Sequence, residues 1–430
     1  MPLSIEKLVY GGDGLARLPA DEHGRGKALF VPFVLEGEEV AVAVTEQKPG
    51  FARGRAEQIL KASPFRVAPG CPYFQLCGGC HYQHAAYSHQ LTIKTAILKE
   101  NLRRIAKLEL ESEIHVHPSP EWNYRNRARL KVRTAPDFAL GYFKFNSHEL
   151  LPVEQCPISS PLINRAIAVL WQAYGGEAPS PDLDGIQEIE FFANSDDTQL
   201  QVEAYCGPDV SPSVAAEQAK ELKALLSEVS GVAVFRNEVR SPETIAGAGT
   251  PQLTYVTQHA SYRVSAGSFF QVNRHLTDEL VTLVTAGRSG RTALDLYAGV
   301  GLFSSVLSRE FERVIAVESS PLSYADLRYN APGNVKAVQA MSEQYLKNVS
   351  GKLQPDLVVV DPPRNGLGER VVHALVSLGA PRMTYVSCDP ATLSRDLGRL
   401  LNYGYRVEQA HLVDLFPQTY HLESVFHLVR

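Results

Sequence analysis

The sequence predicts an α/β protein. Its C-terminal half reads as a doubly wound, Rossmann-like parallel sheet, preceded by a small OB-like β-barrel and a central α+β domain. Three observations lead there. After Asn273 short apolar runs alternate with helical patterns, the signature of a sheet covered on both faces. Near the N-terminus several short strand-like runs crowd together, separated by glycine-containing turns, as in a small barrel. Between these regions lie three closely spaced cysteines and a strand loaded with cations. The expected divisions are residues 1–62, 63–246 and 247–430.

Composition sets the outer bounds. A chain of 430 residues suggests about two to three domains. Hydrophobic residues at 44% and charged residues at 21% suffice for ordinary cores. There is no long uninterrupted apolar run of the kind a membrane helix needs. Met1-Pro2-Leu3-Ser4-Ile5-Glu6-Lys7 lacks the basic-then-apolar layout of a signal peptide, so a cytoplasmic, membrane-independent monomer is the expectation. The net charge of -5 does not point to a polyanion partner, but the charge is uneven. Phe51 to Arg133 holds 14 lysines and arginines against 6 aspartates and glutamates. That basic region is a candidate phosphate-facing surface.

In the barrel, Leu29-Phe30-Val31-Pro32-Phe33-Val34 and Glu39-Val40-Ala41-Val42-Ala43-Val44 read as strands, and Arg53 to Leu60 continues as a basic one. Gly11-Gly12-Asp13-Gly14 marks an early turn. The Gly-Asp-Gly opening and the Phe-Val-Pro strand resemble the TRAM domain, an RNA-binding barrel.

Cys71, Cys77 and Cys80 follow within ten residues, and Cys156 lies far downstream. Gly78 and Gly79 let the backbone wrap tightly. Three close thiols in a cytosolic chain argue for a metal rather than disulfides. Zinc and an iron–sulfur cluster both accept four cysteines; three plus a remote one favours a 4Fe–4S cluster over zinc, which prefers two close pairs. Cys206, in a strand-like run, is expected in a core.

Tyr87 to Leu108 reads as one amphipathic helix, with Leu91, Ala96, Ile97, Leu98, Leu102 and Ile105 inside and Lys94, Arg103, Arg104 and Lys107 elsewhere. This helix is expected to belong to the central domain or to pack on the C-terminal one. In the strand Tyr124 to Arg133, alternation puts Arg125, Arg127, Arg129, Lys131 and Arg133 on one face. Such a row asks for something anionic across it. An RNA backbone is the preferred reading, and carboxylates of another strand are the alternative. Helices over Leu162–Tyr174 and Ser211–Val229 and strands over Gly185–Ala193, Gln199–Tyr205 and Gly231–Phe235 complete this region, which shows no site of its own.

In the C-terminal half, Thr292 to Tyr297 is a buried strand followed by Ala298-Gly299-Val300-Gly301, with a helix starting at Leu302. Val314 to Glu318 and Leu357 to Asp361 are the next strands, each ending in a carboxylate. Ligands bind at such strand ends, where an acidic residue can hold ribose hydroxyls. A NAD(P) site uses the same logic, but the third glycine is replaced by Ser304, and the loop is closer in form to one that binds S-adenosylmethionine. Finally Met383 to Ser387 runs into Cys388, ahead of a helix from Ala391. A cysteine there sits where backbone N–H groups favour the thiolate, although a lone cysteine is as often a small core residue.

Three segments carry a resemblance: Asp361-Pro362-Pro363-Arg364-Asn365-Gly366, Tyr385 to Asp396, and Val413-Asp414-Leu415-Phe416-Pro417-Gln418-Thr419-Tyr420-His421-Leu422-Glu423. In order and spacing they resemble the RNA uracil-5-methyltransferases. The barrel, the four cysteines and the Gly-Val-Gly loop fit the same family, so the resemblance spans nearly the whole chain. Two departures are Asp389, where many members have Asn, and Leu302, where some have a polar residue. The resemblance implies a C-terminal S-adenosylmethionine-dependent methyltransferase domain, with Cys388 as nucleophile and Glu423 as the base that removes the C5 proton. Gln271, Tyr297, Glu318 and Asp361 would contact the cofactor, with Asp361 alternatively touching the uracil edge. Gly299 would allow close approach, and Phe269 would stack on the flipped base. The four cysteines favour the iron–sulfur members, which mostly modify ribosomal RNA, so 23S rRNA is the expected substrate and tRNA, as in an m5U54 enzyme, the alternative. A NAD(P)-dependent iron–sulfur oxidoreductase would leave the Phe416-Pro417-Gln418 and His421-Leu422-Glu423 segment without a role. A non-catalytic RNA-binding module is disfavoured by the intact Cys388 and Glu423.

Overall fold

The computed structural model describes residues 2–20, 26–175, 183–237 and 243–430. The expected domain ranges also include residues 1, 21–25, 176–182 and 238–242, which lie outside the described residues.

Alternating apolar residues close the N-terminal sheet around its own small core. Six strands run in the order Pro2–Ser4, Glu39–Gln47, Phe51–Lys61, Ala28–Pro32, Asp13–Arg17 and Lys7–Leu8. Ile5, Ala16, Leu29, Val31, Val34, Val40, Val42 and Ala52 fill the interior. The early turn is shorter than expected: Gly11 and Gly12 make it at positive φ, and Asp13 already starts a strand.

A seven-stranded central sheet follows, in the order Leu150–Pro152, Ala139–Phe143, Arg127–Arg133, Ile186–Ala193, Leu200–Cys206, Val229–Arg236 and Glu243–Gly249. The helices Pro161–Tyr174 and Pro212–Ala224 cover it, and Cys206 is fully buried in its core. Glu243–Gly249 pairs with Val229–Arg236 across the expected boundary at residue 246, so the central domain extends at least to Gly249.

The C-terminal half is built on an eight-stranded sheet ordered Val335–Gln339, Phe311–Glu318, Gly290–Leu296, Leu357–Val360, Arg382–Ser387, Glu423–Val429, Arg406–Val413 and His115–His117. The first five are mutually parallel. The all-parallel expectation fails at Glu423–Val429, which runs antiparallel to both neighbours. A short connection after Val413 can only bring the chain back as an antiparallel neighbour. Successive strand residues serve opposite faces. Leu294, Leu296, Val358 and Val360 join one core, while Ala293, Leu357 and Val359 join the other. The helix expected at Leu302 is one turn, Ser304–Leu307.

The helix from Tyr87 packs on this half. Its α-helical part ends at Asn101 and continues as a π-helical turn, Leu102–Ala106. Ile93, Ile97, Leu98 and Leu102 share a core with Leu393, Leu397 and Leu400. Ala96 and Ile105, expected inside, are exposed. Lys94, expected outside, is fully buried: its Nζ donates to Asp414 Oδ1 at 2.6 Å and to the carbonyl of Phe416 at 2.9 Å. Tyr87 donates to the other Asp414 oxygen at 3.0 Å. The partner lies 320 positions away, so local periodicity reads Lys94 as a surface residue. Among the described residues, no helix is long and apolar enough to cross a membrane.

Removing one partner of a buried ion pair strands the other charge, at a cost of about 3–5 kcal/mol. Lys94→Met is therefore expected to lower the urea unfolding midpoint sharply. Lys220→Ala, which breaks the exposed Lys220–Glu217 pair, is expected to leave it unchanged.

Candidate active site

Strand register builds the site. Ser387 faces Ser424 across the antiparallel pair, so the next positions, Cys388 and Glu423, meet at the same edge. The Ser424 hydroxyl donates to the Ser387 carbonyl at 3.2 Å and fixes that register. Leu296 faces Val360, which brings Tyr297 and Asp361 to the same edge. The reversed strand is what makes this possible: it presents its first residue where its parallel neighbours present their last.

The loop at Cys388 is tightly held. Asp389 caps the helix Pro390–Asn402, its Oδ1 accepting from the N–H groups of Ala391 at 3.0 Å and Thr392 at 2.8 Å. An asparagine oxygen could accept the same bonds, which explains in physical terms why Asp389 is acceptable here. The thiol is half-buried, and its titration departs from expectation. Burial first, then the charges of Glu423, Asp361 and Asp389, push Cys388 up to about 12, with Arg364 alone pulling the other way. The carboxylates around the thiol thus oppose the helix N-terminus, which favours the thiolate.

Glu423 is buried among Leu422, Val425 and Phe426, and its Oε1 has no hydrogen-bond partner. Desolvation and the neighbouring Asp361 raise its pKa well above the ordinary carboxylate range, and Arg364 opposes them. Desolvation and Asp295 raise Asp361 to about 7. Asp295 is itself raised to about 7 by burial, offset in part by the Ser304 hydroxyl. Buried carboxylates with raised pKa values at one strand edge mark a site suited to holding and moving protons.

Beside them lies the glycine loop. Tyr297 has φ 64°, Gly299 55° and Gly301 93°, so the backbone turns through the left-handed region at three of five positions. A Cβ at Gly299 would meet nothing within 4 Å, which leaves open space in front of the loop. Glu318 accepts from Gly299 N–H at 2.9 Å and Ser320 N–H at 2.6 Å, a fixed carboxylate at the adjacent strand end. Gln271 is buried, and Phe269, 59% exposed, points its ring to solvent.

The four cysteines come together. Cys71, Cys77, Cys80 and Cys156 line one cavity of about 370 Å³, with Arg125, Arg129, Tyr142, Thr419, Tyr420 and His421 in its wall. Gly79 N–H donates to Cys77 Sγ at 3.4 Å. Burial pushes the thiols of Cys71, Cys77 and Cys80 up, and the charge of Cys156 adds to it. Among the described residues, no group of three or more His, Cys, Asp and Glu side chains is arranged to hold a metal ion.

The cation strand is shorter than expected. It spans Arg127–Arg133, and Arg127, Arg129 and Lys131 find carboxylates on other strands of the same sheet. Arg129 and Lys131 both pair with Glu188, and Arg127 pairs with Glu190 and Glu203. Arg127 also lies over Phe192 and Arg129 over Tyr205, at 4.5 and 3.7 Å from the ring centres. Every second residue of Ile186–Ala193 faces this row, so the complementary charge comes from within the sheet. Arg125 and Arg133 donate to the backbone carbonyls of Arg127 and Asp137.

Residues missed by sequence reasoning include Arg364, whose motif was read without assigning it a role, and Asp295, hidden as one more residue of a buried strand. Gln418 is another. It sits at φ 68°, its carbonyl accepts from His81 and Tyr82 N–H, both at 2.9 Å, and its side chain bonds Gln90 and Glu121. It thereby ties the segment after Cys80 to the segment before Glu423.

Comparison with known proteins agrees with this layout. The family described as tRNA (Uracil-5-)-methyltransferase matches residues 86–430, and the TRAM domain matches residues 1–56. An uncharacterized RNA methyltransferase of Aquifex aeolicus is 32% identical, covering 99% of this chain and 97% of the relative. One of Streptomyces avermitilis is 32% identical, covering 98% and 96%. The structure of the Pyrococcus abyssi tRNA (uracil-54, C5)-methyltransferase in complex with S-adenosyl-L-homocysteine superposes with a TM-score of 0.74 over 100% of both chains, at 24% identity. That likeness is one of fold.

The charges around Cys388 give a test. Its alkylation by iodoacetamide, followed by peptide mass spectrometry, is expected to keep accelerating up to alkaline pH with no plateau near neutrality. Glu423→Gln removes a neighbouring negative charge and is expected to shift that curve to lower pH.

Proposed function

The chain belongs to the tRNA (uracil-5-)-methyltransferase family and carries a TRAM domain, and from that premise we propose how its residues methylate a uridine in RNA. The observation that carries the reading is the register that sets Cys388 beside Glu423 at the strand edge shared with Asp361. C5 of uracil is a poor nucleophile. Cys388 first gives up its thiol proton to water, and addition of the resulting thiolate to C6 makes the ring an enolate with charge at C5. S-adenosylmethionine, when bound, supplies the electrophilic methyl group that C5 takes. Glu423 then accepts the C5 proton, the ring double bond reforms and the C6–S bond breaks, returning the thiolate. A carboxylate in a dry site with a raised pKa is a stronger base than one in water, the direction this step requires.

The residues present suit the cofactor. The open space before Gly299 admits its backbone-hugging portion, and the fixed carboxylate of Glu318 is placed for ribose hydroxyls. Tyr297, Gln271 and Asp361 complete its contacts in this proposal. Phe269, exposed beside Gln271, is offered as the stacking partner of the flipped base. Among the cations, Arg125 and Arg133 remain the candidates for RNA contact, while Arg127, Arg129 and Lys131 serve the sheet.

The four cysteines are proposed to hold a 4Fe–4S cluster. Three close cysteines with a remote fourth suit a cluster better than zinc, which usually takes two close pairs. They line a roomy cavity with an N–H donor on one sulfur. Burial disfavours several thiolates there unless positive charge accompanies them. A cluster there would be structural, since methyl transfer has no redox step. The resemblance to the iron–sulfur members of the family, which mostly modify ribosomal RNA, supports 23S rRNA as the substrate we propose. The name of the Pyrococcus abyssi enzyme supplies the alternative, tRNA uridine 54.

Nucleotide-resolution mapping of 5-methyluridine in RNA from cells with and without the gene decides the target; loss from neither RNA would overturn the reading. RNA containing 5-fluorouridine is expected to become covalently attached to the wild-type protein with cofactor and not to Cys388→Ser. Glu423→Gln is expected to lower turnover by about 10²–10⁴-fold while still forming the adduct on ordinary RNA. Anaerobically purified protein is expected to contain about four irons per chain, and Cys80→Ser to lose them.

A further inference from the structure

We propose that Tyr10, a residue of the N-terminal barrel, is a positioning residue for the nucleophile. The TRAM domain would then complete the catalytic site as well as contact RNA. The inference rests on the methyltransferase reading above and adds a residue that none of the three motifs contains. Tyr10 stands in the turn between the strands Lys7–Leu8 and Asp13–Arg17. Its hydroxyl donates to the Cys388 carbonyl at 3.2 Å, across 378 positions of sequence. Its ring meets that of Tyr420 edge-on, with centroids 5.4 Å apart and planes at 89°. One side chain thus touches the segment that carries the nucleophile and the segment that leads into Glu423.

The turn is built to hold it. Val9 N–H donates to the Asp13 carbonyl at 2.9 Å, and Gly12 N–H to the Val9 carbonyl at 3.2 Å. A Cβ on Gly12 would come within 3.1 Å of the His81 side chain, so the turn lies against the cysteine segment. Leu8, just before it, belongs to the same buried core as Tyr385 and Leu393, on either side of Cys388. The Cys388 carbonyl lies between the last strand residue and the helix-capping Asp389. Holding it fixes the peptide plane from which the sulfur projects. Burial, and then the charge of Asp389, raises the phenol's pKa, so the hydroxyl stays protonated and remains a donor.

Tyr10→Phe removes only the donor and keeps the ring against Tyr420. With kinetics normalised to the fraction that binds S-adenosylhomocysteine, the expected result is a two- to tenfold fall in kcat, about what one hydrogen bond is worth. KM for RNA is expected to stay unchanged, and single-turnover formation of the 5-fluorouridine adduct to slow by the same factor. Tyr10→Ala, which also loses the ring contact, is expected to fall further. A wild-type kcat in Tyr10→Phe would overturn the proposal. So would a raised KM with unchanged kcat, which would make Tyr10 an RNA-docking contact alone. If the wild-type protein itself forms no adduct and transfers no methyl group, it is the methyltransferase reading that fails, and the two failures are told apart.

Discussion

The pairing of Ser387 with Ser424 is the constraint on which the rest depends. In a sheet of parallel strands every carboxyl end lies at one edge, so a base placed at the start of a strand would lie at the far edge from Cys388. Reversing Glu423–Val429 solves this. A one-residue slip would turn every side chain of that strand to the other face. The strand is fixed against such a slip by apolar residues on both faces: Phe426 and Leu428 in one core, Val425 in the other. Packing energy spread over the whole strand therefore sets the position of one carboxylate.

The electrostatics of the edge follow from that arrangement. Asp295, Asp361 and Glu423 are all raised by burial, Asp295 adds to the cost of ionising Asp361, and Asp361 adds to that of Glu423. The same field makes the resting Cys388 thiol hard to ionise. Arg364 is the cation that opposes the field at both Cys388 and Glu423.

Much of this was legible in the sequence, and what was not has physical reasons. Cys388, Asp361, Glu318 and the glycine loop could be placed because each ends a short apolar run, and strand ends are visible locally. The direction of the last strands was not legible, since period-two patterning is the same for parallel and antiparallel neighbours. The helix from Tyr87 was found, but Lys94 was put on the wrong face because its partner, Asp414, is remote in sequence. The row at Arg127, Arg129 and Lys131 was correctly seen as one face, but its neutralising strand, with Glu188 and Glu190, follows by more than fifty positions in an unremarkable run. Long-range pairing is what a single sequence hides.

The same limit hid the convergence around residues 416 to 423. Gln418 receives two backbone N–H bonds from His81 and Tyr82, directly after Cys80, and bonds Gln90 of the helix and Glu121 beyond it. Lys94 holds the Phe416 carbonyl, Tyr124 donates to the Pro417 carbonyl, and Tyr10 lies on Tyr420. Thr419, Tyr420 and His421 form part of the wall of the cysteine cavity. The segment ahead of Glu423 has its own turn bonds, from Thr419 to the Phe416 carbonyl, and is further held by the barrel, the cysteine segment and the helix. A left-handed, non-glycine residue such as Gln418 persists only where its surroundings over-determine it. The parts of the chain outside the methyltransferase sheet are accordingly more than RNA-binding attachments: they supply the contacts that hold the base-bearing segment in place.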